Sequence, residues 1–240
     1  MADKQHKILS IIIPSYNEER TILQLLDKLL KIQLIENIHK EIIIVDDGSK
    51  DSTKELVGNY ISTHPTENIQ LIQHTKNQGK GMAIRTGITK ISGDFVIIQD
   101  ADLEYEPEDY NLLLPELLYN QAKVVYGSRF LMKENKHSYQ SFYLGGLLVT
   151  TVTNLLFAQH LTDEPTCYKA FNSEFLKSIP LKCTGFEFCP EVTAKVAKRG
   201  IKIKEIPIHY YPRSVDEGKK IRWTDGVEAI WVLIKYRFTN

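Results

Sequence analysis

The apolar run Phe95-Val96-Ile97-Ile98 leads directly into Gln99-Asp100-Ala101-Asp102-Leu103-Glu104, and this junction limits what the chain can fold into. Consecutive β-branched and aromatic residues without polar alternation read as a short strand buried on both faces, which rigidly fixes whatever follows it. Two carboxylates one residue apart follow it. Like charges that close are unfavourable unless a cation lies between them or one takes a proton. Hard oxygen ligands suit Mg2+ or Mn2+, and Mg2+ typically binds through one or two carboxylates plus substrate phosphates. Two readings stand at this point: a metal–diphosphate site, or a solvated acidic loop before a helix. Glu106-Pro107-Glu108-Asp109 is also an ordinary helix start, with Pro in the first turn and acids at the positive end of the dipole.

The same design recurs along the chain. Ile8 to Pro14 is a continuous apolar run closing into Ser15-Tyr16-Asn17-Glu18-Glu19, with a helix expected from about Arg20 to Ile32. Glu41 to Val45 runs into Asp46-Asp47-Gly48-Ser49, and Asp51-Ser52-Thr53 offers caps for the next helix. A third strand is expected over Ile69–Gln73, then a flexible loop Asn77-Gln78-Gly79-Lys80-Gly81 opening a helix through Ile91, and a fifth strand over Lys123–Ser128. Strands alternating with helices at this spacing predict an α/β fold with a mostly parallel, doubly wound sheet, in which ligands bind at the carboxyl ends of the strands. Acids at three of those ends on one rim favour the metal-site reading.

Thirty basic and thirty acidic residues cancel over 240 residues, so the net charge carries no nucleic-acid footprint. The charges are unevenly distributed. Seven acids and no base lie between Asp94 and Asp109, while eleven Lys or Arg stand against five acids from Lys195 onward. Cys167, Cys183 and Cys189 lack zinc spacing and read as reduced packing cysteines of a cytosolic protein. Met1–Lys7 is polar, so no signal peptide is expected. Ser138 to Thr162 is uncharged but rich in Thr, a poor membrane span; an interfacial surface and a pair of core helices remain equally open for it.

Taken in order, Ile13-Pro14-Ser15-Tyr16-Asn17-Glu18, Val45-Asp46-Asp47-Gly48-Ser49, Asn77 to Gly81, Asp100-Ala101-Asp102 and Gly127-Ser128-Arg129-Phe130 resemble the motifs of family 2 inverting glycosyltransferases, which have the Rossmann-like GT-A fold. Leu161-Thr162-Asp163-Glu164-Pro165-Thr166-Cys167-Tyr168-Lys169-Ala170-Phe171 resembles the acceptor-side motif of the dolichol-phosphate mannose synthase branch. Pro207 to Arg213 and Glu217-Gly218-Lys219-Lys220 resemble that branch's C-terminal phosphate-binding loop. The resemblance implies a single GT-A domain over residues 1–240. Its nucleotide-sugar half would cover about 8–130 and its acceptor half about 131–240, with a short C-terminal helical and β extension.

It further implies that Pro14, Tyr16, Glu18, Val45 and Asp47 line the base and ribose, with Ala101 in the turn between the acids. Tyr16 alone would read equally as a loop aromatic, and Asp46 as a structural turn residue. Asp102 is the better metal ligand, with Asp100 nearer the nucleotide or sugar and Glu104, where relatives often carry Gln, either a ligand or a support. Arg213 and Lys219 are candidates for the donor diphosphate, and Arg129 would face the acceptor. Asp163 could be a base, a helix cap or a partner of the acceptor's cationic neighbours. The implied reaction moves a hexose from a GDP-mannose or UDP-glucose type donor to a polyprenyl phosphate, with Mg2+ or Mn2+. The protein would be cytoplasmic, peripheral on the membrane or held there by a membrane partner. Transfer to a saccharide hydroxyl and a non-catalytic nucleotide-sugar-binding subunit are the alternatives.

Overall fold

The computed structural model describes residues 6–135, 140–213 and 223–239. Lys219, with Glu217 and Gly218, lies outside the described residues. The element order is β1 (Ile8–Ser15), α1 (Ile22–Lys31), β2 (His39–Asp46), α2 (Thr53–Thr63), β3 (Ile69–Gln73), α3 (Lys80–Ile88), β4 (Phe95–Ile98), α4 (Tyr110–Leu118), β5 (Val124–Ser128), α5 (Gln140–Phe157), β6 (Lys169–Asn172), α6 (Ser173–Lys177), α7 (Phe188–Lys198), β7 (Lys204–Pro207) and α8 (Trp223–Phe238). Seven strands form one sheet in the order β3-β2-β1-β4-β6-β5-β7. Only β6 runs against its neighbours; the other pairings are parallel.

The central strands are apolar on both faces because helices cover both. Ile11, Ile12 and Ile13 of β1, Ile42 to Val45 of β2 and Val96 to Ile98 of β4 are almost wholly buried. Each such side chain contributes about 1.5–3 kcal/mol. Leu25, Leu26 and Leu29 press one face of α1 into the same core. The register sets Ser15 opposite Asp46 and Ile12 opposite Ile98, so β1, β2 and β4 end on one rim.

The loops on that rim are laced together. The Asn17 side chain accepts from Lys50 N, its backbone N–H donates to Ser49 Oγ, and Glu18 N donates to Thr53 Oγ1. Asp51 accepts from Thr53 N just before α2, while the N-cap residue Ser52 makes no side-chain cap bond. The Asn77–Gly81 loop, expected to be flexible, is held at both sides. Gly79 takes a φ of +97°, and a Cβ there would run into the backbone of Thr184.

Three features differ from the sequence expectations. The apolar stretch up to Phe157 is one helix, α5, rather than a pair. Nothing in it breaks a helix, because its threonines bond back to carbonyls four residues earlier, Thr150 to Gly146, Thr151 to Leu147 and Thr153 to Val149. The helix expected to reach Ile91 stops at Ile88, where Lys90 N turns back to Gly87 O. The strands β6 and β7, of four residues each, are too short to show a period. At the far side α8 lays Val232, Leu233 and Tyr236 against Val149 and Phe157 of α5 and Ala194 of α7, a small second core.

Candidate active site

The two acids after β4 are aimed by a turn that the core over-determines. Gln99 is fully buried and accepts from the hydroxyls of Tyr110 and Tyr168, while its amide donates to Asp100 O. Leu103 sits at φ +56°, a left-handed conformation costly for a branched side chain and worth about 1 kcal/mol or more. The turn is closed by Glu104 N donating to Asp102 Oδ1 at 3.1 Å. Asp102 and Glu104 therefore face the same space.

Cations meet these acids from two sides. Lys80, the first residue of α3, sets its Nζ 2.5 Å from Asp100 Oδ1. Arg213 donates from NH2 to Asp102 Oδ2 at 2.7 Å and lies 3.7 Å from Glu104 and 3.8 Å from Glu18. Burial opposes charge on Asp100, but Lys80 outweighs it and holds the carboxyl below its ordinary range. For Asp102 burial wins, reinforced by the Asp100 and Glu104 carboxylates, and its pKa is pushed up to about 7. Lys80 is driven upward: burial lowers it, and Asp100 more than compensates.

A divalent cation fits this set. Glu18, Asp100, Asp102 and Glu104 bring four carboxylates against the two cations Lys80 and Arg213, leaving two negative charges when all are ionised. Among the described residues no group of three or more acidic, histidine or cysteine side chains could hold the ion alone, so it would need substrate phosphates as further ligands.

Ten of the expected site residues line one cavity of about 900 Å3: Pro14, Tyr16, Glu18 and Asp47 from the first two strand ends, Asp100, Ala101, Asp102 and Glu104 from the third, and Arg129 and Arg213. Val45 lies buried within β2 and does not line this cavity. Asp47 lines the cavity, but its carboxylate is spent on the fold. It accepts from Gln78 N at 2.9 Å, Gly79 N at 2.7 Å and His74 Nδ1 at 2.7 Å. Asp46 next to it is also buried, and its Oδ1 has no hydrogen-bond partner among the described residues. It faces a second, adjoining space of about 680 Å3 shared with Tyr16, Ser49 and Asn77. Of the two adjacent aspartates, Asp46 is the one with an oxygen left unsatisfied among the described residues.

Asp163 occupies a different position from that of a base. It is fully buried, with Oδ2 accepting from Arg129 N at 2.9 Å and Nε at 2.7 Å, and Oδ1 accepting from Arg129 NH2 at 2.7 Å. Both oxygens are committed to holding Arg129. Burial lowers the Arg129 pKa, but Asp163 outweighs it, so the guanidinium stays charged. Its carbon lies 5.1 Å from the Tyr210 ring centroid, a cation–π contact. The loop carrying Asp163 is pinned in turn by Glu205 of β7, which accepts from Thr162 N at 2.6 Å and Asp163 N at 2.9 Å.

Sequence reasoning missed Lys80, Asp46 and Glu205. A cation at a helix N-terminus opposes the dipole, so Lys80 carried a signal: it needed an anionic partner nearby. Asp46 and Glu205 gave no comparable sign, because their roles depend on which neighbours the sheet brings to them.

Residues 10–179 match the sequence pattern of Glycosyl transferase family 2, and the chain belongs to that family. Its mostly parallel sheet, flanked by helices, is the GT-A fold of this glycosyltransferase class. It is similar to a dolichyl-phosphate beta-glucosyltransferase of Trichomonas vaginalis, 32% identical over 95% of this chain and 72% of that protein. It also resembles a dolichol-phosphate mannosyltransferase of Pyrococcus furiosus, 28% identical over 88% of this chain and 58% of that protein. In fold it is similar to glucosyl-3-phosphoglycerate synthase of Mycobacterium tuberculosis, solved with Mn2+, UDP and phosphoglyceric acid. That match has a TM-score of 0.72 and 20% identity, covering 98% of this chain and 80% of the other.

Proposed function

We propose that this chain is an inverting hexosyltransferase that moves mannose or glucose from a nucleoside-diphosphate sugar to a polyprenyl or dolichyl phosphate. The observation that carries this reading is the meeting of Asp102 and a permanently charged Arg129 in one cavity. The acids serve the donor end and the guanidinium serves an anionic acceptor. The Trichomonas dolichyl-phosphate beta-glucosyltransferase and the Pyrococcus dolichol-phosphate mannosyltransferase support the acceptor class.

The acceptor chemistry follows from the charges. An alcohol needs a base to become a nucleophile at neutral pH. A phosphomonoester, with a second pKa of about 6, is already ionised and needs a cation to hold it. Asp163, the candidate base, has both oxygens on Arg129, and this favours the phosphate acceptor over a saccharide hydroxyl. One acceptor oxygen attacks the anomeric carbon as the bond to the diphosphate breaks on the opposite face, which inverts that centre. Lys80, Arg213 and Lys219 serve the departing diphosphate, and Asp46 Oδ1 accepts an N–H of the base. Asp102, supported by Asp100, would hold Mg2+ or Mn2+, which supplies charge neutralisation at the leaving group.

The same cavity is walled on its outer side by Leu148 and Val149 of α5 and Val227 and Ile230 of α8. Beyond it, Leu144, Leu148 and Leu155 on α5 and Trp223, Val227, Trp231 and Phe238 on α8 stand exposed, with Lys235 and Arg237 near the end of α8. That surface suits docking in the headgroup region of a membrane. No helix among the described residues is long and apolar enough to cross one. The test is release of nucleoside diphosphate from GDP-mannose and UDP-glucose with Mg2+ or Mn2+, with and without a short polyprenyl phosphate. Lipid-dependent release from one donor is expected; release that ignores the lipid would overturn the acceptor assignment.

A further inference from the structure

Among the described residues, Arg129 and Arg213 are each paired with an aspartate, and they are paired very differently. Arg129 grips Asp163 with three N–H donors at 2.7 to 2.9 Å, the fork-to-carboxylate geometry of a permanent bridge. Arg213 makes one such bond, from NH2 to Asp102 Oδ2 at 2.7 Å. Its other acidic neighbours, Glu104 and Glu18, stand back at 3.7 and 3.8 Å, and its buried Nε has no hydrogen-bond partner among the described residues. A buried donor without an acceptor is unfavourable, so this guanidinium sits in its acidic surroundings without being fitted to them.

Its backbone is fitted. Arg213 N donates to Glu104 Oε1 at 2.9 Å, Tyr211 N donates to Glu104 O at 2.8 Å, and Tyr210 pairs with Tyr105 across a β-bridge. The main chain is fixed beside the acids while the side chain is held by a single good bond. Asp102 is fully engaged as well, with Oδ1 on Glu104 N and Oδ2 on Arg213. A cation that binds Asp102 Oδ2 competes with the guanidinium for that oxygen.

We propose that Arg213 is a displaceable counter-cation that competes with the divalent metal for Asp102 and is released only when a diphosphate arrives to accept it. This rests on the reading of the acidic cluster as the metal–diphosphate end of the donor site. Metal alone must take Asp102 from a charged side chain whose other acidic neighbours, Glu104 and Glu18, stand back at 3.7 and 3.8 Å. Metal with a diphosphate gives Asp102 its new partner and Arg213 an oxygen fork in the same event. Arg213 therefore opposes metal binding before the nucleotide is bound and favours it afterwards, which makes metal and nucleotide binding positively coupled. The device would keep the site from holding metal without substrate.

The test is Mn2+ binding followed by electron paramagnetic resonance of the free ion, for the full chain and its R213Q variant, alone and with GDP or UDP. The expected result is Mn2+ binding about tenfold tighter in R213Q than in the wild type when no nucleotide is present, within the usual range of coupling factors. The enhancement of Mn2+ affinity by nucleotide should shrink correspondingly. Unchanged or weaker Mn2+ binding in R213Q would overturn the proposal, even with the donor-site reading intact. Failure of the wild type to bind Mn2+ with either nucleotide would instead sink the donor-site reading, and this proposal with it. If R213Q does not fold, the wild type answers alone, through the 15N-labelled Arg213 Nε–H resonance, assigned by triple-resonance correlation to its own backbone. That signal should move when Mg2+ and nucleotide are added together and hold still for Mg2+ alone; movement with Mg2+ alone would overturn the proposal.

Discussion

Asp163 holds Arg129 by both carboxylate oxygens, 2.7 Å from Nε and 2.7 Å from NH2, and Arg129 lines the same cavity as Asp100, Ala101 and Asp102. An acid so placed orients the guanidinium and cannot also take a proton from an acceptor. Asp163→Asn should therefore raise the KM for the lipid phosphate at least about tenfold and leave nucleotide affinity unchanged. It should also lower stability by about 3 kcal/mol or more, because it leaves a largely buried charge without its partner. Steady-state kinetics in the lipid, isothermal titration with nucleotide and thermal unfolding check the three parts. Loss of kcat alone, with KM and stability untouched, would restore Asp163 to the role of base.

Asp46 and Asp47 are neighbours with opposite commitments. Asp47 spends its carboxylate on Gln78 N, Gly79 N and His74, whereas Asp46 Oδ1 is buried without a partner among the described residues. Asp47→Ala should cost about 3 kcal/mol of stability by orphaning several donors at once. Asp46→Ala should weaken nucleotide binding about tenfold or more and leave the melting temperature close to that of the wild type, since it removes an unsatisfied buried group. Calorimetry on both variants separates them, and a destabilised Asp46→Ala protein would contradict the assignment.

Much of this fold is legible in the residues because its central strands are buried on both faces. Ile11 to Ile13, Ile42 to Val45 and Val96 to Ile98 cannot be mistaken for amphipathic surface, and each stops at an acid or a turn residue. The acids at those ends announce the donor site. What the sequence does not carry is partnership. Nothing in Leu161 to Phe171 says that Asp163 will close on Arg129, 34 residues earlier, or that Glu205 will pin the Thr162–Asp163 backbone. Those contacts depend on β6 inserting antiparallel between β4 and β5, a step no local period records. Arg213 shows the same limit in reverse. Its chemistry suits a phosphate, and the acids of another strand end hold it first.

The Asp102 carboxyl predicts how metal binding depends on pH. Burial, then Asp100 and Glu104, raise it from an ordinary 3.8 to about 7. A carboxyl raised in the folded state contributes stability that is complete below its unfolded pKa and is lost as pH rises through about 7. The ligating form is the carboxylate, so a metal recovers that loss. Mn2+ affinity, measured with nucleotide at saturation, should fall about tenfold per pH unit below 7 and level off above it. Thermal stabilisation by Mn2+ should accordingly be larger at pH 8 than at pH 6. Asp102→Asn should abolish the slope; a slope that survives in this variant would assign the proton to another group.

The outward face of α8 repeats Trp223, Val227, Trp231, Ile234 and Phe238 at helical spacing, while Val232, Leu233 and Tyr236 turn inward. The two faces make separable predictions. Leu233→Ala should destabilise the fold by about 2–5 kcal/mol, because it opens a cavity where α8 meets α5 and α7. Trp231→Ser, at a residue 64% exposed, should change stability by less than about 0.5 kcal/mol. The same substitution should weaken sedimentation with anionic phospholipid vesicles several-fold, since a tryptophan at the headgroup level contributes strongly to interfacial binding. Raising the salt concentration should weaken wild-type binding only in part, because Lys235 and Arg237 supply the screened component and the apolar stripe the rest. Vesicle binding that is indifferent to Trp231→Ser and lost entirely in salt would show that charge alone brings the protein to the membrane.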